Sequence, residues 1–309
     1  MRALVIGAGG LGVPAAWSLA ARGGVALSIW DPDRVELSNL HRQILYRESD
    51  LGRPKAQVAK ERLEARFPSL ELEVRVDAFG PQAASQLANF DVVLDGTDHF
   101  EVKLQLHDLC LDAGVPYVFG GVVGTEGQVL GVRPGRSACL RCLFDEAPPP
   151  GSAPTCAEVG ILGPIAGIVA AEQARVALGL LGDQPGGDLW QYDGIRDRAR
   201  VLPIPRMSDC RGCGARRHLR GFFEEPPSFA AGEEAEALDL SGRACPSTFI
   251  ETNKRLQSLP PGARLWIRLT SDESARSVPR SCVAAGHKVL AQRVDGRHHH
   301  ILLQRAEGD

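Results

Sequence analysis

The sequence predicts an α/β protein: a doubly wound parallel sheet with an antiparallel extension, followed by a small two-layer α/β domain. Three observations predict it. A short apolar run, Ala3-Leu4-Val5-Ile6, passes straight into Gly7-Ala8-Gly9-Gly10-Leu11-Gly12, the pattern of a strand, a glycine turn and a helix. Apolar runs then alternate with helical patterns through the first half of the chain, as parallel strands joined by crossover helices require. Between residues 222 and 239 the composition changes to six acidic residues with no Lys or Arg and a Pro226-Pro227 pair, which marks a linker.

The first strand covers residues 3–6 and its helix residues 11–22. In the turn between them Gly7 permits the tight bend, and Gly9 lets backbone amides approach a phosphate. Gly12 lets the helix lie close on the strand, its positive end toward the anion. Further strands are expected at 26–30, 72–76, 92–95 and 117–119, with helices near 55–66 and 101–112. From 125 to 132, and again from 189 to 202, the pattern is strand-like, which adds the antiparallel extension. The longest apolar region, 159–181, contains Pro164, Glu172, Gln173 and Arg175, which are costly in hydrocarbon. It reads as a buried amphipathic helix. After the linker come a strand from 238, a helix at 246–259, a strand at 264–269, a helix near 279–285, and strands at 288–293 and 299–304. The run His298-His299-His300, following a turn at Asp295-Gly296, reads as a polar strand segment and not as a tag or metal site.

With 309 residues and 44% hydrophobic content, the chain has length for two domains with cores of their own. A formal net charge of −3 and the lack of any Lys/Arg block argue against a nucleic-acid partner or an anionic membrane surface. The N-terminus has no secretory pattern, so a cytoplasmic location is expected. In that compartment the eight cysteines do not form a disulfide framework and are ligands, nucleophiles or core residues.

Two pairs, Cys139-Leu140-Arg141-Cys142 and Cys210-Arg211-Gly212-Cys213, have the spacing that turns two thiolates toward one ion. Together they make a closed tetrahedral set, the pattern of structural Zn2+; the alternative is four buried, unligated thiols. Asp31 closes the second strand about twenty residues after the glycine turn, where an acid can hydrogen-bond ribose hydroxyls. Up to this point an NAD-dependent oxidoreductase competes. The segments 37–43 and Gly52-Arg53-Pro54-Lys55 then place an Arg and a Lys near the same strand ends, followed by Asp95-Gly96-Thr97-Asp98. Two cations and a carboxylate beside a phosphate loop suit a triphosphate with Mg2+ better than a dinucleotide.

These motifs, in this order, resemble the ThiF/MoeB/HesA family, the bacterial relatives of ubiquitin-activating enzymes, over residues 1–217. The first domain is then expected to be Rossmann-like. The resemblance implies that ATP and Mg2+ adenylate the C-terminal glycine of a ubiquitin-like sulfur carrier ending in Gly-Gly, of the ThiS/MoaD type, which then becomes a thiocarboxylate. It puts the phosphates over Gly7, Gly9, Gly10 and Gly12 and the ribose on Asp31. Asn39, Arg42, Gln43 and Lys55 surround the triphosphate, and Asp98 holds the magnesium. It also implies the zinc site and a homodimer. Cys156, in a Pro-rich stretch, stands where related enzymes can bond to the carrier or the sulfur donor; a plain loop thiol is the alternative.

Residues 238–309, beyond a linker at 218–237, resemble the TusA family of sulfur-relay proteins through Leu240-x-Gly242-x-x-Cys245-Pro246, Val278-Pro279 and Cys282. Proline as first helical residue sets the Cys245 sulfur at a helix N-terminus, which lowers a thiol pKa. The resemblance implies a persulfide on Cys245, supplied by a donor such as a cysteine desulfurase. The family's second proline is replaced by Thr248, which leaves a degenerate docking module as the alternative. Cys110 and Cys282 are expected to pack in cores. Related adenylating enzymes carry an N-terminal Arg that reaches the partner's triphosphate. This sequence opens almost directly on the first strand, so either another residue replaces that Arg or turnover is weak. His99 stands where the family usually has Asn. The rival to an adenylyltransferase is a non-catalytic scaffold that binds nucleotide and docks a carrier. Thiamine, molybdopterin, cysteine and secondary-metabolite pathways all stay open.

Overall fold

Side chains along the first strand alternate between two cores. β1 (Arg2–Ile6) sends Ala3 and Val5 to one face of a sheet and Leu4 and Ile6 to the other, all four buried. A strand buried on both faces needs helices on both, and the chain supplies them. The computed structural model describes residues 1–80, 83–145, 160–215, 235–241, 247–295 and 298–306. Two units, Met1–Phe223 and Glu224–Asp309, make most of their contacts internally.

In the first unit β2 (Ala26–Trp30), β3 (Leu72–Arg75), β4 (Val92–Asp95) and β5 (Tyr117–Val123) join β1 as parallel neighbours. Then β6 (Glu126–Val132), β7 (Asp188–Asp193) and β8 (Arg198–Pro203) extend the sheet antiparallel, in the order β3-β2-β1-β4-β5-β6-β7-β8. All six residues of β8, the last strand, are exposed. One face is covered by α1 (Gly12–Arg22), α2 (Lys55–Arg66) and α6 (Gly163–Leu181), through residues such as Leu19, Leu63 and Val169. The other is covered by α3 (Ala84–Leu87), α4 (Phe100–Ala113) and the short α5 (Leu140–Leu143). By length and composition alone α6 could cross a membrane. Ile165, Val169, Ala174 and Leu180 instead bury it against the sheet, as its interrupted polarity predicts.

The second unit is a sheet in the order β11-β12-β10-β9, with β9 (Ala235–Asp239), β10 (Arg264–Leu269), β11 (Lys288–Asp295) and β12 (His298–Gln304). Leu265, Ile267 and Leu269 alternate onto one face, where they meet Leu256 of α7 (Ser247–Ser258) and Val278 and Cys282 of α8 (Asp272–Ala284). Burial pushes the Cys282 thiol up to about 12, as for a core residue. The His run lies in β12.

Several boundaries differ from the expectation. β9 starts at Ala235, inside the stretch read as linker, because pairing with β10 decides there and local composition does not. α8 starts at Asp272, seven residues before the expected 279. The Ser271 hydroxyl caps it by accepting the Ser274 amide (3.3 Å), and Ala275, Val278 and Cys282 form its apolar stripe, so Pro279 sits inside the helix. α3 had no sequence signal. The turn expected at Asp295-Gly296 includes Gly296, outside the described residues.

Candidate functional site

After β3 the chain crosses to β4 on the other side of β1, so the strand order reverses between β1 and β4. In open α/β sheets such a switch point leaves a crevice at the strand ends. Gly7 follows β1 and Gly96 follows β4. Gly7 has φ +93°, and a Cβ there would lie 2.7 Å from the Gly96 carbonyl oxygen. A Cβ on Gly12 would fall 1.8 Å from the Gly7 carbonyl oxygen, and one on Gly96 2.9 Å from the Gly12 nitrogen. The three glycines touch each other, and α1 starts on them with no side-chain cap.

The loop is held from below. Asp31, 4% exposed, accepts the Ala8 amide (2.5 Å) and the Asp33 amide (2.7 Å), while the Tyr46 hydroxyl donates to the Ala8 carbonyl (2.7 Å). Burial lifts the Asp31 carboxyl to about 6 against the pull of Lys55. The segment after β2 runs beside 52–55, bridged at Arg34 and Pro54, with Lys55 N–H donating to the Asp33 carbonyl. That pairing carries Lys55, 5% exposed, to the site, where Nζ donates to Asp33 Oδ2 (2.9 Å). Despite burial its pKa is raised, because Asp31, Asp33 and Asp98 all favour the charged form.

Asn39, Arg42 and Gln43 come from a short 3₁₀ turn (Leu37–Asn39) and the residues after it. The Asn39 side-chain oxygen accepts from Arg42 Nη2 (2.9 Å) and Gln43 Nε2 (3.3 Å). Arg42 Cγ would be 3.7 Å from a Cβ on Gly10, and Gln43 Nε2 3.6 Å from one on Gly9. Gln43 Oε1 is buried with no protein partner beside this cradle. A floor of glycines, a half-buried guanidinium and a buried ammonium fit a polyphosphate, and the unpaired Gln43 oxygen could accept only from a hydroxyl or amino group of a nucleotide.

Opposite them, the Gly96-Thr97-Asp98 turn is fixed by Asp95 of the same motif together with Lys103, Tyr117 and Gln173, whose part in it the sequence patterns missed. Asp95 Oδ1 accepts from the Thr97 amide (2.9 Å), the Thr97 hydroxyl (2.7 Å) and Lys103 Nζ (3.3 Å). Its Oδ2 accepts from the Tyr117 hydroxyl (2.5 Å). Lys103 Nζ also donates to the carbonyls of Thr97 (2.6 Å) and Gly120 (2.7 Å), and Gln173 Nε2 of α6 to that of Asp95 (2.8 Å). Asp98 itself is exposed, its Oδ1 3.8 Å from His99 Nε2, and is free in its chemistry to bind a hard cation. The signal available for Lys103 was its place among apolar residues on α4.

The four cysteines converge. Cys139 Sγ lies 3.9 Å from Cys142 Sγ and 3.6 Å from Cys210 Sγ, and Cys142 Sγ 3.5 Å from Cys213 Sγ; all four sulfurs are within 4.8 Å of one another. Tetrahedral zinc with Zn–S of about 2.3 Å needs sulfurs about 3.8 Å apart. The residues present therefore fit a closed Zn2+ site. Cys156 and Cys245 lie outside the described residues.

Residues 1–212 match the ThiF family and residues 236–305 the family described as sulfurtransferase TusA. The chain is 39% identical over 225 residues to a Thermus thermophilus sulfur carrier protein adenylyltransferase, covering 68% of this chain and 81% of that one. It is 36% identical over 215 residues to the Escherichia coli sulfur carrier protein ThiS adenylyltransferase, covering 68% and 85%. Against a Zea mays protein named adenylyltransferase and sulfurtransferase MOCS3-1, identity is 34% over 271 residues, 86% of this chain but 55% of the relative. In fold it is similar to E. coli MccB crystallised with ATP, with a TM-score of 0.59, 20% identity, and 69% and 66% of the two chains covered.

Two outcomes follow from this geometry. Asp31 has its folded pKa raised from 3.8 to about 6, so its contribution to stability is present below about pH 4 and lost as pH rises through 6. In the nucleotide-free protein, the thermal midpoint of wild type relative to Asp31→Asn should therefore fall between pH 4 and 7, by the equivalent of roughly 3 kcal/mol; a pH-independent difference would refute the assignment. Stripping metal with a strong chelator should lower the melting temperature of the first unit, and added zinc should restore it.

Proposed function

Because the chain belongs to the ThiF family through residues 1–212, we propose that it is a nucleotidyltransferase that adenylates the C-terminal glycine of a ubiquitin-like sulfur carrier of the ThiS/MoaD type. The carrier carboxylate attacks the α-phosphorus of ATP, the bond to the β-phosphate oxygen breaks, and pyrophosphate leaves as the acyl-adenylate forms. Such a step needs phosphates held in line and neutralised more than it needs a base. The glycine cradle of Gly7, Gly9, Gly10 and Gly12 binds phosphate through its backbone, and Arg42 and Lys55 offset the charge. Asn39 and Gln43 orient Arg42, and Asp31 anchors the loop where the ribose lies. Asp98 is the residue that would hold Mg2+, which when bound supplies further neutralisation of the phosphates. The observation that supports this reading is the approach of Arg42 to Gly10, with Lys55 buried among carboxylates beside the same loop.

The TusA region at 236–305 takes the part of sulfur donor. A persulfide on Cys245, loaded by a donor such as a cysteine desulfurase, displaces AMP from the carrier's acyl-adenylate through its terminal sulfur. The acyl disulfide so formed is cleaved when a second thiol attacks the Cys245 sulfur and frees the carrier thiocarboxylate. Cys156 is the thiol proposed to bond to the carrier or donor at this step, and a small-molecule thiol then reduces the resulting disulfide. Covalent linkage of donor and activating unit raises the donor's effective concentration. We place this reaction in the cytosol, in a homodimer.

Carrier-dependent exchange of pyrophosphate into ATP tests the first half. Arg42→Ala and Lys55→Ala should each lower it by about 100-fold or more while circular dichroism stays unchanged; near-normal exchange would remove them from the site. Intact-mass measurement of a Gly-Gly-ending carrier after incubation with MgATP, a persulfide source and a thiol reductant tests the second half. Wild type should add one sulfur in place of one oxygen, whereas Cys245→Ser should leave AMP-modified or unmodified carrier.

A further inference from the structure

One helical turn beyond Lys103, α4 carries a second buried polar cluster that the nucleotide site does not use. The Asp108 side chain is fully buried and accepts from two nitrogens of one guanidinium, Arg141 Nε (2.9 Å) and Nη2 (2.7 Å). It also accepts from His107 Nδ1 (2.9 Å). The other ring nitrogen, His107 Nε2, accepts the backbone N–H of Leu140 (3.1 Å), so the proton is on Nδ1. Arg141 and Leu140 are the two residues between Cys139 and Cys142. Arg141 continues outward, its Nη1 donating to the Asp145 carbonyl (2.6 Å). Both arms of the Asp108 network thus end on the four-residue segment that supplies half of the sulfur ligands.

A buried ion pair is a poor device for stability alone, since apolar side chains of similar volume often do as well. It does fix geometry, because a bidentate guanidinium–carboxylate pair admits little freedom about either axis. A Cys-x-x-Cys knuckle needs that constraint: its thiols must be held close together before an ion neutralises them. We propose that Asp108 is the positioning residue of the four-cysteine metal site, acting through Arg141 and His107 to hold residues 139–142 in ligand geometry. The inference rests on the metal reading of the cysteines and is independent of the adenylation chemistry.

The test uses the full chain, freed of metal and titrated with Zn2+ against a chromophoric chelator, with Co2+ as the spectroscopic probe. Outer partners of metal ligands typically matter 10–100-fold in affinity, and Asp108→Asn should weaken Zn2+ binding by that factor. It should also weaken the visible bands of tetrahedral thiolate-bound Co2+. Arg141→Lys keeps the positive charge but cannot present two parallel N–H groups; it should show a smaller loss, and it carries the test if Asp108→Asn does not fold. If Asp108 is only a core group, the variants melt at lower temperature with and without metal while Zn2+ affinity stays within twofold and the Co2+ spectrum is unchanged. That result overturns the proposal, as does a wild-type protein that binds no zinc.

Discussion

Contact among Gly7, Gly12 and Gly96 is the constraint on which the first unit's site depends. The turns after β1 and β4 can meet only because none of the three carries a Cβ, and a methyl at Gly12 would overlap the Gly7 carbonyl outright. Once they meet, the end of β1, the start of α1 and the end of β4 form one surface. Asp31 and Tyr46 then tie down Ala8, Asp95 and Lys103 tie down Thr97, and both sides of the crevice are set by buried hydrogen bonds. Small residues decide where the site is; buried polar residues decide how rigid it is.

The charges in this unit are divided by burial. Lys55, Asp95, Lys103, Asp108 and Arg141 are all buried and would be costly if unpaired. Each is matched: Lys103 Nζ has three oxygen partners, and Asp108 takes two nitrogens of one guanidinium together with a ring nitrogen. Asp98 stays in solvent, and Arg42 is half-buried over the cradle. Asp98 and Arg42 keep freedom to reorganise around a cation or a phosphate, while Lys55 and the groups that fix the loops are held in place.

Much of this could be read from the residues. The alternation of strands and helices, the antiparallel extension and the convergence of the Cys139–Cys142 and Cys210–Cys213 knuckles follow from local spacing, because a period of two, a period of 3.6 and a two-residue gap are properties of neighbours in the chain. The residues behind the site were less legible. Tyr46, Lys103 and Gln173 reach partners 38, 17 and 78 residues away, at Ala8, Gly120 and Asp95, and no local pattern carries such distances. A lysine at a core-facing place on α4 was the available hint. In the second unit Pro279 was misleading, since a proline is a common helix start. There the Ser271 cap and the packing of Ala275, Val278 and Cys282 override its cost.

The large sheet is not closed, and its last strand faces water along its whole length. β8 presents Arg198 and Arg200 at alternate positions with Val201 and Leu202 beside them, then ends at Pro203, which has no N–H to offer. Repeated positive charge repels another copy of the same edge, and the terminal proline stops a foreign strand from pairing further along. At this border, then, the sheet stays open without inviting fibrillar self-association through β8.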